Sequence, residues 1–256
     1  MGKGTLIAIE GVDASGKQTQ TDLLYERLRA EGRAVKKVAF PDYASRAAGA
    51  VKMYLEGEFG KDPNDVNPYA ASAFFAIDRF ASYKKDWGAF LDAGGIVVAD
   101  RYTMSNMIHQ GAKFARDQEL RVYLDWLRDL EFTKFGLPEP DLVIFLDLSM
   151  SFRLRLLAGR EGDPGDHRKP PLSDAREVDI HERDALYETA RGIGKGGEVD
   201  IHERDALYLN NAHLCAQKIA NMLGWTKVSA ERDGVLRPAA DIHRELYEIV
   251  AAAFAK

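Results

Sequence analysis

Apolar residues along this chain come in short unbroken runs rather than in alternation with polar ones. Five of these runs, TLIAI (5–9), VKKVAF (35–40), GIVVAD (95–100), DLVIFLDL (141–148) and WTKVSA (225–230), read as strands. A strand without a polar face must be covered on both sides, so the runs predict a parallel sheet with helices on each face. Between them, apolar residues recur at helical spacing. In 17–31, Leu23, Leu24 and Leu28 form a stripe that Gly32 stops, and in 68–93 Ala73, Ile77, Phe80 and Phe90 recur similarly up to Gly94 and Gly95. The alternation βαβαβα predicts a three-layer α/β fold, with ligands at the carboxyl ends of the strands.

One stretch breaks this order. Residues 159–176, GREGDPGDHRKPPLSDAR, are rich in Gly, Pro and charge and read as an exposed, mobile loop. EVDIHERDALY then occurs at 177–187 and again at 198–208, with GIGKGG between the copies. Two copies are too few for a solenoid, so a tandem duplication inside one domain spanning 1–256 is expected, with loop and insert at about 159–197. His181 and His202 each precede a Glu, but no second ligand pair at metal spacing accompanies them.

The bulk numbers narrow the function. At 256 residues and 46% hydrophobic content the chain can bury a sizeable core. A formal charge of -5 argues against nucleic acid or an anionic membrane as the main partner, since both reward a basic surface. Cys215, the single cysteine, excludes an internal disulfide and reads as a small buried hydrophobe. The first apolar run is too short for a signal peptide and no run approaches a membrane span, so a cytoplasmic protein is expected.

GVDASGK (11–17) sits between the first strand and the first helix, the context that a phosphate-binding loop requires. Its glycines let backbone N–H groups turn inward, the helix start adds its positive end, and Lys17 can reach terminal phosphates. The usual hydroxyl for Mg²⁺ is replaced by Gln18, with Thr19 one step later. The Gln18 amide oxygen is a neutral ligand for Mg²⁺ or for one of its waters, with Asp13 and Asp100 as carboxylate candidates and Asp147 as a weaker third.

Two further constellations follow. ADRYTMSNMIHQG (99–111) leaves the third strand, where Arg101 can face phosphates in the same crevice as Lys17 or else pair with a helix. In YAASAFFAIDR (69–79), Phe75 and Arg79 share a helix face, so a base can stack on the ring while the guanidinium bonds its edge. Plain core packing is the competing reading for Phe74 and Phe75, and periodicity does not decide between them.

Together, IEGVDASGKQTQ, FFAIDR, VVADRYTMSNMIHQG and DIHERDALYL, in this order and on these elements, resemble the thymidylate kinase family over residues 5–160 and 198–250. The resemblance implies a P-loop kinase fold with a five-stranded parallel sheet and a lid, ATP with Mg²⁺ as donor, dTMP as acceptor and a homodimer. It places Gly11, Asp13, Ala14, Ser15, Gly16, Lys17, Gln18 and Thr19 on the donor nucleotide, with Arg237 against adenine. Phe75 would stack on thymine and Arg79 would bond a base oxygen. Arg101 would hold the acceptor phosphate, Ser105, Asn106 and Gln110 would lie near the acceptor, and His109 would lie beside its sugar. FPDY (40–43) matches the loop over the acceptor phosphate, with Tyr43 where some members carry an Arg. Lys17, Arg101, Asp13 and Arg160 would be the catalytic groups, Arg160 with Arg168 and Lys169 supplying lid cations. The duplication departs from the family, and only the second copy runs directly into the following helix. A kinase for dUMP or UMP, or a non-catalytic nucleotide-binding protein, are the competing readings; the second would be expected to lose Lys17 or Arg101, and both are present.

Overall fold

The computed structural model describes residues 4–12, 15–149, 152, 201–204 and 206–254, the side chains at 203–207 excepted. All five expected strands are present: β1 (Thr5–Gly11), β2 (Val35–Ala39), β3 (Ile96–Asp100), β4 (Leu142–Asp147) and β5 (Thr226–Ser229). They form one parallel sheet in the order β2-β3-β1-β4-β5. Central β1 is buried on both faces from Leu6 onward, which is why its sequence shows no alternation. The chain leaves β1 toward β2 and leaves β3 toward β4, on the opposite side. The crevice between the carboxyl ends of β1 and β3 is therefore the topological switch point at which ligands bind in such sheets.

Helix α1 (Lys17–Ala30) packs on β1, β2 and β3, and on the terminal helix described below. Gly32, at φ 75°, lets the Arg33 N–H return to the Leu28 carbonyl at 3.0 Å and closes the helix. The buried stripe is Gln20, Thr21, Leu24 and Leu28, whereas Leu23 is 37% exposed, against expectation. Adjacent residues lie about 100° apart on a helix, so Leu23 and Leu24 cannot both face the sheet.

Helix α2 is Gly49–Leu55, and α3 is Pro68–Ser82, opened by Pro68 and by Asn67, whose side chain accepts from the Tyr69 N–H at 2.8 Å. A π-helical turn at Tyr83–Trp87 carries the chain into α4 (Gly88–Asp92). Here too the expected stripe is corrected: Ile77 is 48% exposed, and the inward face of α3 carries Ala71, Ser72, Ala76, Asp78 and Arg79. Three of those five are polar, and each is hydrogen-bonded, Ser72 to buried Tyr123, Arg79 to buried Glu131 and Asp78 to the Asp42 N–H, so hydrophobic spacing misjudges which face turns in.

The remaining helices are α5 (Thr103–His109), α6 (Asp117–Arg128, continued by a π-helical turn at Asp129–Lys134), α7 (Ile201–Arg204), α8 (Ala206–Met222) and α9 (Ala239–Phe254). A two-stranded hairpin, β6 (Glu231–Arg232) and β7 (Val235–Leu236), precedes α9. Helices α5 and α8 pack together, and α1 packs with α9. A second apolar cluster of Val51, Tyr54, Leu55, Ala71 and Ile201 lies beside the main core. Ile201 belongs to the second copy of the repeat, which enters α7 and α8 as expected. The first copy and the proposed lid, with Arg160, Arg168 and Lys169, lie outside the described residues, as do Asp13 and Ala14. Cys215 is buried and unbridged, and burial pushes its thiol up to about 12. Among the described residues no helix is long and apolar enough to cross a membrane.

Candidate active site

The loop after β1 is shaped for a compact anion. A Cβ on Gly11 would stand 2.5 Å from Ser15 Oγ and 2.7 Å from the Leu146 carbonyl oxygen, so only glycine lets the loop fold this tightly. Gly16 adopts φ 82°, ψ 18° and turns the chain into α1, whose first turn holds no acidic residue. The N–H groups of a 14-residue helix thus point at the loop with its positive end uncompensated. Lys17 is almost fully buried and spans the loop, donating from Nζ to the Val12 carbonyl at 2.8 Å. Ser15 Oγ is buried and has no protein partner among the described residues. Gln18 is exposed on the first turn of α1 and Thr19 is half-buried.

Opposite this loop, Asp100 closes β3 and Arg101 takes the left-handed backbone at φ 66°, uncommon for a residue with a side chain. Glu10 secures that turn from β1. Its Oε1 accepts from the Tyr102 N–H at 2.6 Å and its Oε2 from Ser105 Oγ at 2.8 Å. Burial raises the Glu10 carboxyl to about 7, although Arg101, the two hydrogen bonds and Lys17 all pull it down. Burial likewise raises Asp100, against the attraction of Lys17 and Arg101. Two cations and two carboxylates therefore meet between the carboxyl ends of β1 and β3.

A cleft of about 570 Å³, open to solvent, adjoins this point. Phe40, Pro41, Tyr43, Phe75, Arg79, Arg101, Ser105, Asn106, His109 and Gln110 all line it, so the structure gathers every acceptor residue named from the sequence around one space. Each wall has its own support. The cis Phe40–Pro41 bond follows Phe40, whose N–H is bonded to the Asp100 carbonyl at 3.0 Å, and Asp78 Oδ2 accepts from the Asp42 N–H at 2.8 Å. Burial raises the Asp78 carboxyl. Phe75 meets Tyr54 edge-on at 6.2 Å, Asn106 donates to the Ser72 carbonyl at 3.1 Å, and the Gln110 amide is buried without a protein partner among the described residues. Arg79 is buried against Glu131 in a two-bond fork; burial alone would lower the guanidinium pKa, and Glu131 together with Tyr102 and Asp78 more than offsets this.

Leu55, Tyr102 and His202 complete the lining. His202, in the second repeat copy, bonds Tyr54 Oη through Nε2 at 2.8 Å and stacks on His109 with ring centres 5.7 Å apart. Lys113, lowered to about 8 by burial, donates to Tyr54 Oη at 3.1 Å.

Two expected residues lie elsewhere. Arg237 is outside the cleft, at the foot of the β6–β7 hairpin, bonded to the Ser229 carbonyl at 2.7 Å and to Glu245 at 2.7 Å. The adjoining Ala239 carbonyl accepts from Gln20 of α1 at 3.0 Å, which keeps this segment on the phosphate-loop side. Asp147 is bonded by Gln217, which also accepts from Lys227.

Sequence reasoning did not find Glu10, Asp78, Glu131 or the place of His202. Glu10 carried a signal, being the one charge within an apolar strand, and Asp78 stands inside FFAIDR. Glu131 carried none.

Comparison with known proteins agrees with this geometry. The family model described as thymidylate kinase matches residues 9–178. The thymidylate kinase of Mycobacterium tuberculosis is 34% identical over 195 residues, covering 75% of this chain and 88% of that protein. The human thymidylate kinase is 32% identical over 149 residues, covering 58% of this chain and 63% of its own length. The solved thymidylate kinase of Candida albicans shares the fold at a TM-score of 0.61 and 21% identity, covering 98% of this chain and 92% of that one. With its phosphate loop, its cleft and two thirds of its length matched in this way, the chain belongs to the thymidylate kinase family.

Proposed function

We propose that the protein transfers the γ-phosphoryl group of ATP to dTMP, giving dTDP and ADP. One observation carries the reading: the phosphate loop and a cleft with a ring, a donor edge and a cation meet at Glu10, between Lys17 and Arg101. Lys17 and the N-terminus of α1 hold the donor phosphates, for which the uncompensated helix start and Ser15 Oγ, without a partner among the described residues, are the fitting partners. Arg101 draws in the acceptor phosphate, so that one of its oxygens attacks the γ-phosphorus as the bond to the ADP oxygen breaks. Transfer of this kind needs positioning and charge neutralisation more than covalent chemistry, and both cations supply them. Phe75 stacks on the base, Arg79 with Asn106 and Gln110 reads its edge, and His109 lies beside the sugar.

Asp100 and Gln18 offer the oxygen donors that Mg²⁺ prefers, and the ion when bound neutralises charge on the transferred group. Arg237 is assigned to the adenine side, and Asp13 and Arg160 to the phosphates. A homodimer is part of the same reading and rests on membership of the family. A cytoplasmic location is supported by the single, unbridged Cys215.

With ATP, Mg²⁺ and dTMP the protein should form dTDP and ADP one for one, and the control without acceptor should form almost no ADP. ADP release without dTDP overturns the reading.

A further inference from the structure

Arg79 is gripped along one edge only. Glu131 accepts from Arg79 Nε at 2.7 Å and from Nη2 at 2.6 Å, and accepts a third bond from Thr103 Oγ1 at 2.8 Å. The two ion-pair side chains are at most 2% exposed. Nη1 bonds no described residue, and Arg79 lines the cleft.

A local backbone feature brings Glu131 to this place. Helix α6 widens into a π-helical turn over DLEFTK (Asp129–Lys134), closed by the Phe135 N–H on the Leu130 carbonyl and the Leu137 N–H on the Glu131 carbonyl, both at 2.9 Å. Within that turn Asp129 and Lys134 pair at the surface, while Glu131 turns inward. Such turns are rare and concentrate at functional sites. A buried ion pair is also a poor stabiliser, because desolvation offsets most of its attraction, so its energetic contribution to folding does not account for it.

Its effect on the cleft does. A guanidinium only donates hydrogen bonds. With Nε and Nη2 engaged and the charge balanced by Glu131, Arg79 offers the base a fixed donor edge and does not compete with Arg101 for phosphate. A ring carbonyl oxygen meets that edge well, whereas an exocyclic amino group at the same position sets donor against donor and leaves both buried without partners.

We propose that Glu131 is a positioning residue which, by holding Arg79 along Nε and Nη2, makes the cleft select a keto pyrimidine monophosphate over an amino pyrimidine monophosphate. This rests on the acceptor reading proposed above.

The test compares wild type, Glu131→Gln and Thr103→Val, with dTMP and dCMP as acceptors and with Kd for each by calorimetry. In Glu131→Gln the KM and Kd for dTMP should rise about 10-fold or more, and the dTMP to dCMP preference should fall by about the same factor. The KM for ATP should stay within about 2-fold, with kcat changing less than the dTMP KM. Thr103→Val, which removes only the third bond, should move the same quantities in the same direction by a smaller factor. A folded Glu131→Gln with wild-type preference overturns the proposal, as does an equal loss on dTMP, dCMP and ATP, which marks a merely structural role. If Glu131→Gln does not fold, a folded Thr103→Val with unchanged preference overturns it. A wild type that turns over dTMP yet binds dCMP equally well overturns this inference alone, whereas one that binds neither overturns the acceptor reading as well.

Discussion

The proposed donor side of the site is made of consecutive residues, Gly11 to Lys17, whereas the proposed acceptor side draws on four separate stretches, residues 40–43, 75–79, 101–110 and 202. On the donor side, glycine geometry and a helix start do most of the work, and both are local. On the acceptor side, three buried carboxylates hold the parts in register: Glu10 on the Arg101 turn, Asp78 on the loop after Pro41, and Glu131 on Arg79. A phosphate site can thus be written into one short stretch, while recognition of a shaped, polar ring needs donors and acceptors brought together from across the fold.

Substitutions on the two sides should differ in kind. Lys17→Ala should cost the most, reducing kcat by about 10³-fold with little change in the unfolding midpoint, since the role proposed for its charge is on the transferred phosphate and its Nζ bonds a loop carbonyl, that of Val12, rather than a core element. Arg101→Ala, on the border between the sides, should reduce kcat/KM for the acceptor by about 10²- to 10³-fold and leave the ATP Kd nearly unchanged. Near-normal turnover in either variant refutes the role given to that residue.

Glu10 separates fold from chemistry. Its carboxyl rises from 4.5 to about 7 on folding, so the native state binds more protons than the unfolded chain between those values and loses stability as pH rises through that window. Between pH 4.5 and pH 8, wild type should lose about 3 kcal/mol more than Glu10→Gln, by denaturant titration at each pH. Equal pH profiles for the two proteins would show that Glu10 ionises normally and does not hold the Arg101 turn as described.

Phe75→Ala should have the smallest effect of the series, raising the acceptor KM about 10-fold through lost stacking while the ATP KM stays constant. A parallel rise for ATP would assign the ring to the core it was weighed against.

The same division governs what could be read in advance. Strands β1, β3 and β4 were legible because burial in the middle of the sheet leaves a nearly unbroken apolar run, whereas the edge strands β2 and β5, expected to be buried on both faces, are only partly buried and carry Lys36, Lys37 and Lys227. The phosphate loop was legible because it is contiguous. Helical spacing was legible but its phase was not. Leu23 and Ile77 point to solvent because the face that turns inward is chosen by the sheet and, for α3, by partners such as Glu131 and Tyr123. The acceptor residues could be named only through the motifs of a family, and their carboxylate partners hardly at all. Glu131 lies 52 residues from Arg79 and reaches it through a π-helical turn that no propensity marks.

The most direct test of the central claim offers dTMP, dUMP, UMP and dCMP together at equal concentration with limiting ATP and Mg²⁺, and follows the diphosphates formed. The account predicts dTDP as the dominant product, with dCDP the least formed of the deoxynucleotides. A dominant product other than dTDP, or no diphosphate at all while ATP still binds, would contradict it.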